Sequence, residues 1–513
     1  MSSLDELYGE SLGEELRRRK FFIKKKDGSL QILPLGLYPV SIRQKKYAQI
    51  KSMELNVVDQ LMFKLATHEL ILAEVLEKTV QSDSFIKRLL DIHTKSLASR
   101  MFEKKLYFSI IRSDYFVDKD SQDWKLVEIN TIAIAMALYA DVLEQLHREK
   151  RAFRNEISNR SQKLVDCISI IHQRFLTDAR LSEKSNDQIQ TPEKSHWLFY
   201  NHLGEKSDLA KIFDSNSGSN GFVNDSKVRV SRPGVLVIAD TQEVQPMEIV
   251  YRLSQTGMFP VVVSSLEDIS HSEFRLTEEG RLHLTTRDKS FSDLISCVYF
   301  RLGYSPDHYV NERCWEFVEM AELSLAVLVP SVGLHLAGTK RVQCALYENN
   351  FQLLHQLMGE SSDVEAFRST FVDQFVLDEE NVKKVLAAPE RYVIKPQREG
   401  GGNNLFGDEI VQQFANKPNR SDLSTYVAME LITPAIITNY AGRASDGSIL
   451  VMPEAAAEVG ICSIFLFDPM ARECDRVIRQ EISGFGCKVK HACSNEGGIS
   501  SDCGFASITE CID

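Results

Sequence analysis

At 513 residues and 43% hydrophobic content, the chain is long enough for roughly two or three domains with real cores. A net charge of −12 excludes a general nucleic-acid binder, because such binding rests on neutralising phosphates with cationic side chains. No segment reaches the roughly 18 apolar residues of a membrane span. MSSLDELYGESLGEEL lacks an apolar stretch after a basic start, so a cytoplasmic protein is expected, or a secreted one if a leader has been removed.

In chain order, the basic cluster Arg17 to Lys26 (RRRKFFIKKK) reads as an exposed helix end running into a solvated strand. Val57 to Ser99 carries apolar residues at helical spacing and predicts packed helices. LYFSIIRSDYF and WKLVEINTI, separated by the polar VDKDSQD, predict two strands joined by a turn between Leu106 and Thr131. A helical stretch follows from Ala137 to Thr177. Residues 181–232 are rich in Ser, Asn, Asp and Lys, which predicts a flexible insertion. GVLVIAD (234–240), a helix-like segment and FPVVVSSLED form a β-α-β pattern, as in a parallel sheet. From Lys340 onward helix and strand mix again. Six cysteines (Cys462, Cys474, Cys487, Cys493, Cys503 and Cys511) crowd the C-terminal end without a CxxC pair, which argues against a zinc ribbon. Free thiols are expected in a reducing compartment, whereas the crowding would suit disulfides in a secreted chain.

The most informative stretch is Tyr392 to Glu409, YVIKPQREGGGNNLFGDE. A strand delivers Lys395, a point charge for phosphate, into a loop holding Glu399, Gly400, Gly401, Gly402 and Asn404. Glycine backbone approaches phosphate oxygens closely because no Cβ intervenes, and Glu399 supplies a hard oxygen for Mg²⁺. In WKLVEINTI, strand alternation puts Glu128 and Asn130 on one face, where two oxygen-bearing side chains can grip one Mg²⁺. Read alone, the same segment is a half-exposed strand, and Arg112 with Asp114 is an ordinary surface pair. Arg301 and Tyr304 open a loop after a strand, where a guanidinium could take a substrate carboxylate bidentately.

Taken together in this order, IRSDYF, VEINTI, VYFRLGY, LAGTKRVQ, YVIKPQREGGGNNLFGDE, AEVG (457–460) and KHACSNEGG resemble eukaryotic glutathione synthetase, an ATP-grasp ligase, from about Leu35 to Asp513. The resemblance implies an α/β (α+β) ATP-grasp fold with a lid and an inserted parallel-sheet domain. It divides the chain into residues 1–233, 234–339 and 340–513, with the lid at about 390–436. It implies a homodimer that uses ATP and Mg²⁺ to join γ-glutamylcysteine and glycine, or a related amine, through an acylphosphate. Glu128, Asn130 and Glu399 match the family's metal ligands. Lys340, Lys395, Asn404, Glu458 and Lys490 match its ATP contacts, joined by Glu128, the triglycine and Glu496. Met429, Glu430, Leu431 and Ile432 occupy the adenine segment, with Leu431 replacing a lysine and Phe406 replacing a tyrosine.

On the peptide side, Arg112, Arg301 and Tyr304 are retained, but the family's SxSFGG loop reads Ala133, Ile134, Ala135, Met136, Ala137, Leu138. Lys488 replaces an arginine, which forfeits bidentate geometry, and Ile499, Ser500 and Ser501 replace Val-Ala-Ala. A kept nucleotide half beside a remodelled peptide half resembles diverged paralogues of the kind found as effectors of plant-parasitic nematodes. Two functions follow as expectations: a ligase of reduced activity or altered substrate, or a non-catalytic ATP-binding effector acting through a partner.

Overall fold

The computed structural model describes residues 12–25, 29–135, 137–151, 158–177, 197–199, 232–240, 242–398, 403–415, 422–443, 448–495 and 504–512. The predicted insertion at 181–232 lies almost wholly outside them. A seven-stranded sheet forms the body, in spatial order Ile437–Arg443, Leu35–Gly36, Gly504–Ser507, Val477–His491, Ser448–Phe467, Tyr107–Val117 and Trp124–Asn130. Neighbours run antiparallel except Gly504–Ser507 beside Leu35–Gly36. The register sets Glu458 opposite Lys488, Gly460 opposite Asp114, Cys462 opposite Arg112, and Asn130 opposite Arg112.

Strand alternation gives this sheet two unlike faces. Ser113 and Tyr115 point toward the helices built from residues 44–98, where both donate to Glu54 at 2.9 and 2.6 Å. Ile111, Tyr115, Ile461 and Phe465 are buried in the same cluster as Leu61 and Leu65, and each such side chain contributes about 1.5–3 kcal/mol. Arg112 and Asp114 emerge on the opposite face.

The second sheet confirms the β-α-β reading. Gly234–Ile238 and Val261–Ser264 are parallel, joined by the helix Val244–Gln255, and every residue of both strands is buried. Strands covered on both faces read as unbroken apolar runs rather than alternating ones. Ser292–Phe300 and Val327–Val329 extend the parallel set. The edge is not parallel, however: Glu273–Leu276, Leu282–Thr285 and Ser292–Phe300 form an antiparallel meander.

Gln374–Val376, Tyr426–Glu430, Tyr392–Pro396 and Leu405–Phe406 make a four-stranded antiparallel sheet. It has its own core, in which Ile394 and Ala428 meet Val382, Val385, Ile410 and Phe414 from the flanking helices Glu379–Ala387 and Asp408–Phe414.

Two expectations need correction. The helical stretch 137–177 is two helices, Ala137–Arg151 and Arg160–Thr177. The basic cluster is not simply solvated: Phe21, Phe22 and Lys20 are buried, and Lys20 pairs with Glu248 at 2.6 Å. The cysteines among the described residues are free thiols; Cys503 lies outside those residues.

Candidate active site

The front face of the central sheet carries a network of charged groups. Arg112 donates two hydrogen bonds of 2.7 Å to the two oxygens of Asp114, and both residues are buried. They are therefore not the surface pair that local sequence suggests, because the strand Ser448–Phe467 crosses beside them. Gly460 makes that crossing possible: a Cβ there would lie 2.8 Å from Asp114 Oδ1 and 3.0 Å from Arg112 Cδ. Asn130 donates through Nδ2 to Asp114 Oδ2 at 3.0 Å. Lys488 pairs with Glu458 at 2.6 Å across the neighbouring strands. Burial disfavours both charges of this last pair, but their mutual attraction outweighs it, holding Glu458 low and Lys488 high. Arg112, Asp114, Gly460, Glu458 and Lys488 line a cleft enclosing about 290 Å³, part of it open to solvent, with Arg160, Cys462 and Cys487.

Arg160 was not singled out from sequence. It is held by Asp141 at 2.9 Å and Glu144 at 2.8 Å, an acidic pair one turn apart on the helix Ala137–Arg151. The i,i+3 spacing of those two acids was the available signal.

Beside this cleft the four-stranded sheet meets the body. Lys395 donates to the Val127 carbonyl at 2.7 Å, and Lys340, at the start of the helix Lys340–Met358, lies 3.3 Å from Glu128. Burial raises the Glu128 carboxyl, yet Lys340, Lys395, Lys488 and Arg112 outweigh it and hold the group well below the usual carboxylate range. Lys340 and Lys395 line a second cleft with Gln343, Gln374, Val427 and Met429. Gln343, Gln374 and Gln397 were all missed from sequence; Gln397 accepts from the Arg341 N–H at 3.0 Å and so ties the strand end to the helix start.

The other predicted nucleotide contacts are placed as follows. Glu430 ends a strand and Leu431 follows, its N–H bonded to the Arg391 carbonyl at 2.8 Å while its side chain is exposed. Ile432, Asn404 and Phe406 are half-buried. Lys490 sits two residues beyond Lys488, bonded to the Asn495 carbonyl at 3.0 Å and over the Phe116 ring. Glu399, Gly400, Gly401, Gly402, Glu496, Ile499, Ser500 and Ser501 lie outside the described residues.

Glu128 and Asn130 suit Mg²⁺. The first is an ionised carboxylate, and the second spends its amide N–H₂ on Asp114, leaving Oδ1 as its remaining polar atom. Among the described residues no group of three or more His, Cys, Asp or Glu side chains could hold a metal; the third predicted ligand, Glu399, is outside them.

The remodelled loop lies between two arginines. Arg112 Nη1 donates to the Ala135 carbonyl at 3.3 Å, and Arg301 donates to the Ile134 carbonyl. Ala133 adopts φ 52°, a left-handed conformation unusual for a residue with a Cβ. Ala137 and Leu138 are already helical, and Leu138 is buried with Tyr139, Leu143 and Ile508. The position aligned with the family's second loop glycine is thus part of a core. Tyr304 is half-buried, and burial raises its hydroxyl, with Glu243 and Asp240 adding to the shift and Arg301 opposing it.

Lys340 and Lys395 line a cleft between the four-stranded sheet and the helix Lys340–Met358, with the Glu128 carboxylate within electrostatic reach of both, in a mixed α/β fold of the ATP-grasp class. The chain belongs to the eukaryotic glutathione synthase family: the model of that family's ATP-binding domain matches residues 15–512. It is 24% identical to the glutathione synthetase large chain of Schizosaccharomyces pombe over 93% of this chain and 90% of the other. It is 27% identical to the glutathione synthetase of Homo sapiens over 84% and 80%. Its fold matches that of a glutathione synthetase-like effector from Globodera pallida in the apo form, with a TM-score of 0.62, 15% identity, and coverage of 100% of this chain and 98% of that one.

Proposed function

We propose that this chain is an ATP- and Mg²⁺-dependent carbon–nitrogen ligase of the glutathione synthetase type with a diverged peptide pocket. The observation that carries the reading is the convergence of Lys340 and Lys395 on Glu128, directly beside the Arg112–Asp114 cleft. That arrangement supports a triphosphate site next to a carboxylate site. Phosphoryl transfer asks mainly for alignment and charge neutralisation, and it needs no nucleophilic side chain from the protein.

In this reading the peptide's terminal carboxylate oxygen attacks the γ-phosphorus of ATP, and ADP leaves. The amine of glycine, or of a related acceptor, then attacks the acyl carbon, expels phosphate and loses a proton. Lys340 and Lys395 orient the phosphates, and Arg112 holds the peptide. Glu128 and Asn130, with Glu399, would hold the Mg²⁺, which when bound supplies neutralisation of phosphate charge. The four-stranded sheet serves as the lid, carrying the triglycine loop.

A second reading, a weakly active or non-catalytic ATP-binding effector, is favoured by one observation. The backbone carbonyls of Ile134 and Ala135 already engage the guanidinium groups of Arg301 and Arg112, so a peptide carboxylate has to compete with them. Phosphate release, followed with γ-glutamylcysteine and a panel of amino acids, separates the two. Release that requires both peptide and amine supports the ligase; no release with any pair, alongside intact ATP binding, supports the effector.

A further inference from the structure

The nucleotide cleft contains a polar side chain whose hydrogen bonding is incomplete. Gln374 opens the strand Gln374–Val376 and pairs in register with Met429, the first residue of the proposed adenine segment. It is 3% exposed, it lines the cleft, and its Nε2 has no hydrogen-bond partner among the described residues. Val427 and Met429 beside it are apolar, and the ammonium groups of Lys340 and Lys395 can only donate. Gln343 has a carbonyl, but Gln374 makes no hydrogen bond to it. Buried amide donors are nearly always satisfied, so this one points to an acceptor brought by the ligand.

We infer that Gln374 reads the base of the bound nucleotide and selects adenine over guanine. The inference rests on the proposal that this cleft holds ATP. Nε2 donates to purine N7 while Oε1 accepts from the exocyclic N6 amine, the bidentate pairing that suits glutamine to adenine. Guanine presents two acceptors, N7 and O6, on the same edge, and Oε1 can bond to neither. Val427 and Met429 supply the apolar flank for the ring, and the two lysines take the phosphate end.

The test is calorimetry of the full chain with the Mg²⁺ complexes of ATP, 7-deaza-ATP and GTP, for the parent and for Gln374→Leu. The parent is expected to bind 7-deaza-ATP roughly three- to tenfold more weakly than ATP, the worth of one hydrogen bond, and GTP more weakly still. Gln374→Leu, similar in volume and free of the unpaired donor, is expected to bind ATP and 7-deaza-ATP alike and to lose most of its preference over GTP. Equal affinity of the parent for ATP and 7-deaza-ATP overturns the inference without needing any variant. So does a 7-deaza penalty that survives in Gln374→Leu, and both results leave the ATP reading standing. A parent that binds none of the three nucleotides overturns the ATP reading and this inference with it.

Discussion

Gly460 shows how a single missing Cβ shapes the site. The Arg112–Asp114 pair lies against this glycine so closely that a Cβ added there would sit 2.8 Å from Asp114 Oδ1. Gly460→Ala must push the pair aside, and the neighbours on both sides are buried. The expected cost is about 1–3 kcal/mol of stability, seen as a lowered thermal midpoint, together with a loss of peptide-dependent phosphate release. At this scale the sequence was informative about residue type and strand face, since Arg112 with Asp114 and Glu128 with Asn130 each follow from period-two alternation. It was silent on burial. Whether Arg112 and Asp114 face water depends on a strand more than 330 residues later in the chain, Ser448–Phe467, which no local pattern specifies.

Among the elements, the loop Thr131–Ala135 packs its backbone carbonyls against Arg112 and Arg301, the two arginines of the proposed peptide side. Restoring its hydroxyls with Ala133→Ser and Ala135→Ser adds up to two donors to a pocket where each hydrogen bond is worth on the order of 0.5–1.5 kcal/mol. Turnover of γ-glutamylcysteine with glycine is expected to rise roughly tenfold in the double variant, measured by phosphate release. Leu138→Gly is a poor companion change: this side chain is 2% exposed within a core, and its loss costs about 2–5 kcal/mol.

Behind the sheet, the π-helical turn Glu54–Val58 and the helix that follows it bring two carboxyl groups into the interior. Burial is the dominant cause in pushing Glu54 up to about 8 and Asp59 up to about 7, against the hydrogen bonds from Tyr115, Ser113, Ser463 and Gln480. An acid whose folded value is raised favours folding while it is protonated. That contribution is fully present below the unfolded values near 4 and is lost as pH rises through about 7 to 8. The thermal midpoint is therefore expected to fall between pH 5 and pH 8.5, by the equivalent of at least about 1 kcal/mol. Glu54→Gln, which cannot ionise, should flatten much of the decline in a melting series; an unchanged slope would contradict the buried neutral carboxyl.

Across the whole molecule, local pattern places the main strands but not the contacts between sheets. The architecture was readable: two strands at 107–130, the β-α-β unit after 233 and the lysine strand at 392 all stand where pattern places them. The antiparallel edge of the second sheet was not readable, because two of its strands are only 4 residues long, too short for alternation to stand out. Nor could periodicity show that Lys395 reaches across to Val127, or that Arg398 pairs with Asp83 at 2.6 Å. Such contacts join the four-stranded sheet to the body and exist only once both have folded. Gln374 and Gln397 escaped for a related reason, since each is buried with an Nε2 that finds no hydrogen-bond partner among the described residues, which no local pattern shows.

In a ligase of the proposed type the peptide's carboxylate, rather than water, takes the γ-phosphoryl group. This transfer is tested most directly with γ-glutamylcysteine carrying ¹⁸O in its C-terminal carboxylate, incubated with ATP, Mg²⁺ and glycine, and the released phosphate analysed by mass spectrometry. Attack by the carboxylate followed by amine displacement leaves the bridging oxygen on phosphorus, so the account predicts one ¹⁸O in each phosphate released. Phosphate free of label would mean that water attacks ATP in this site, and would contradict the ligase reading.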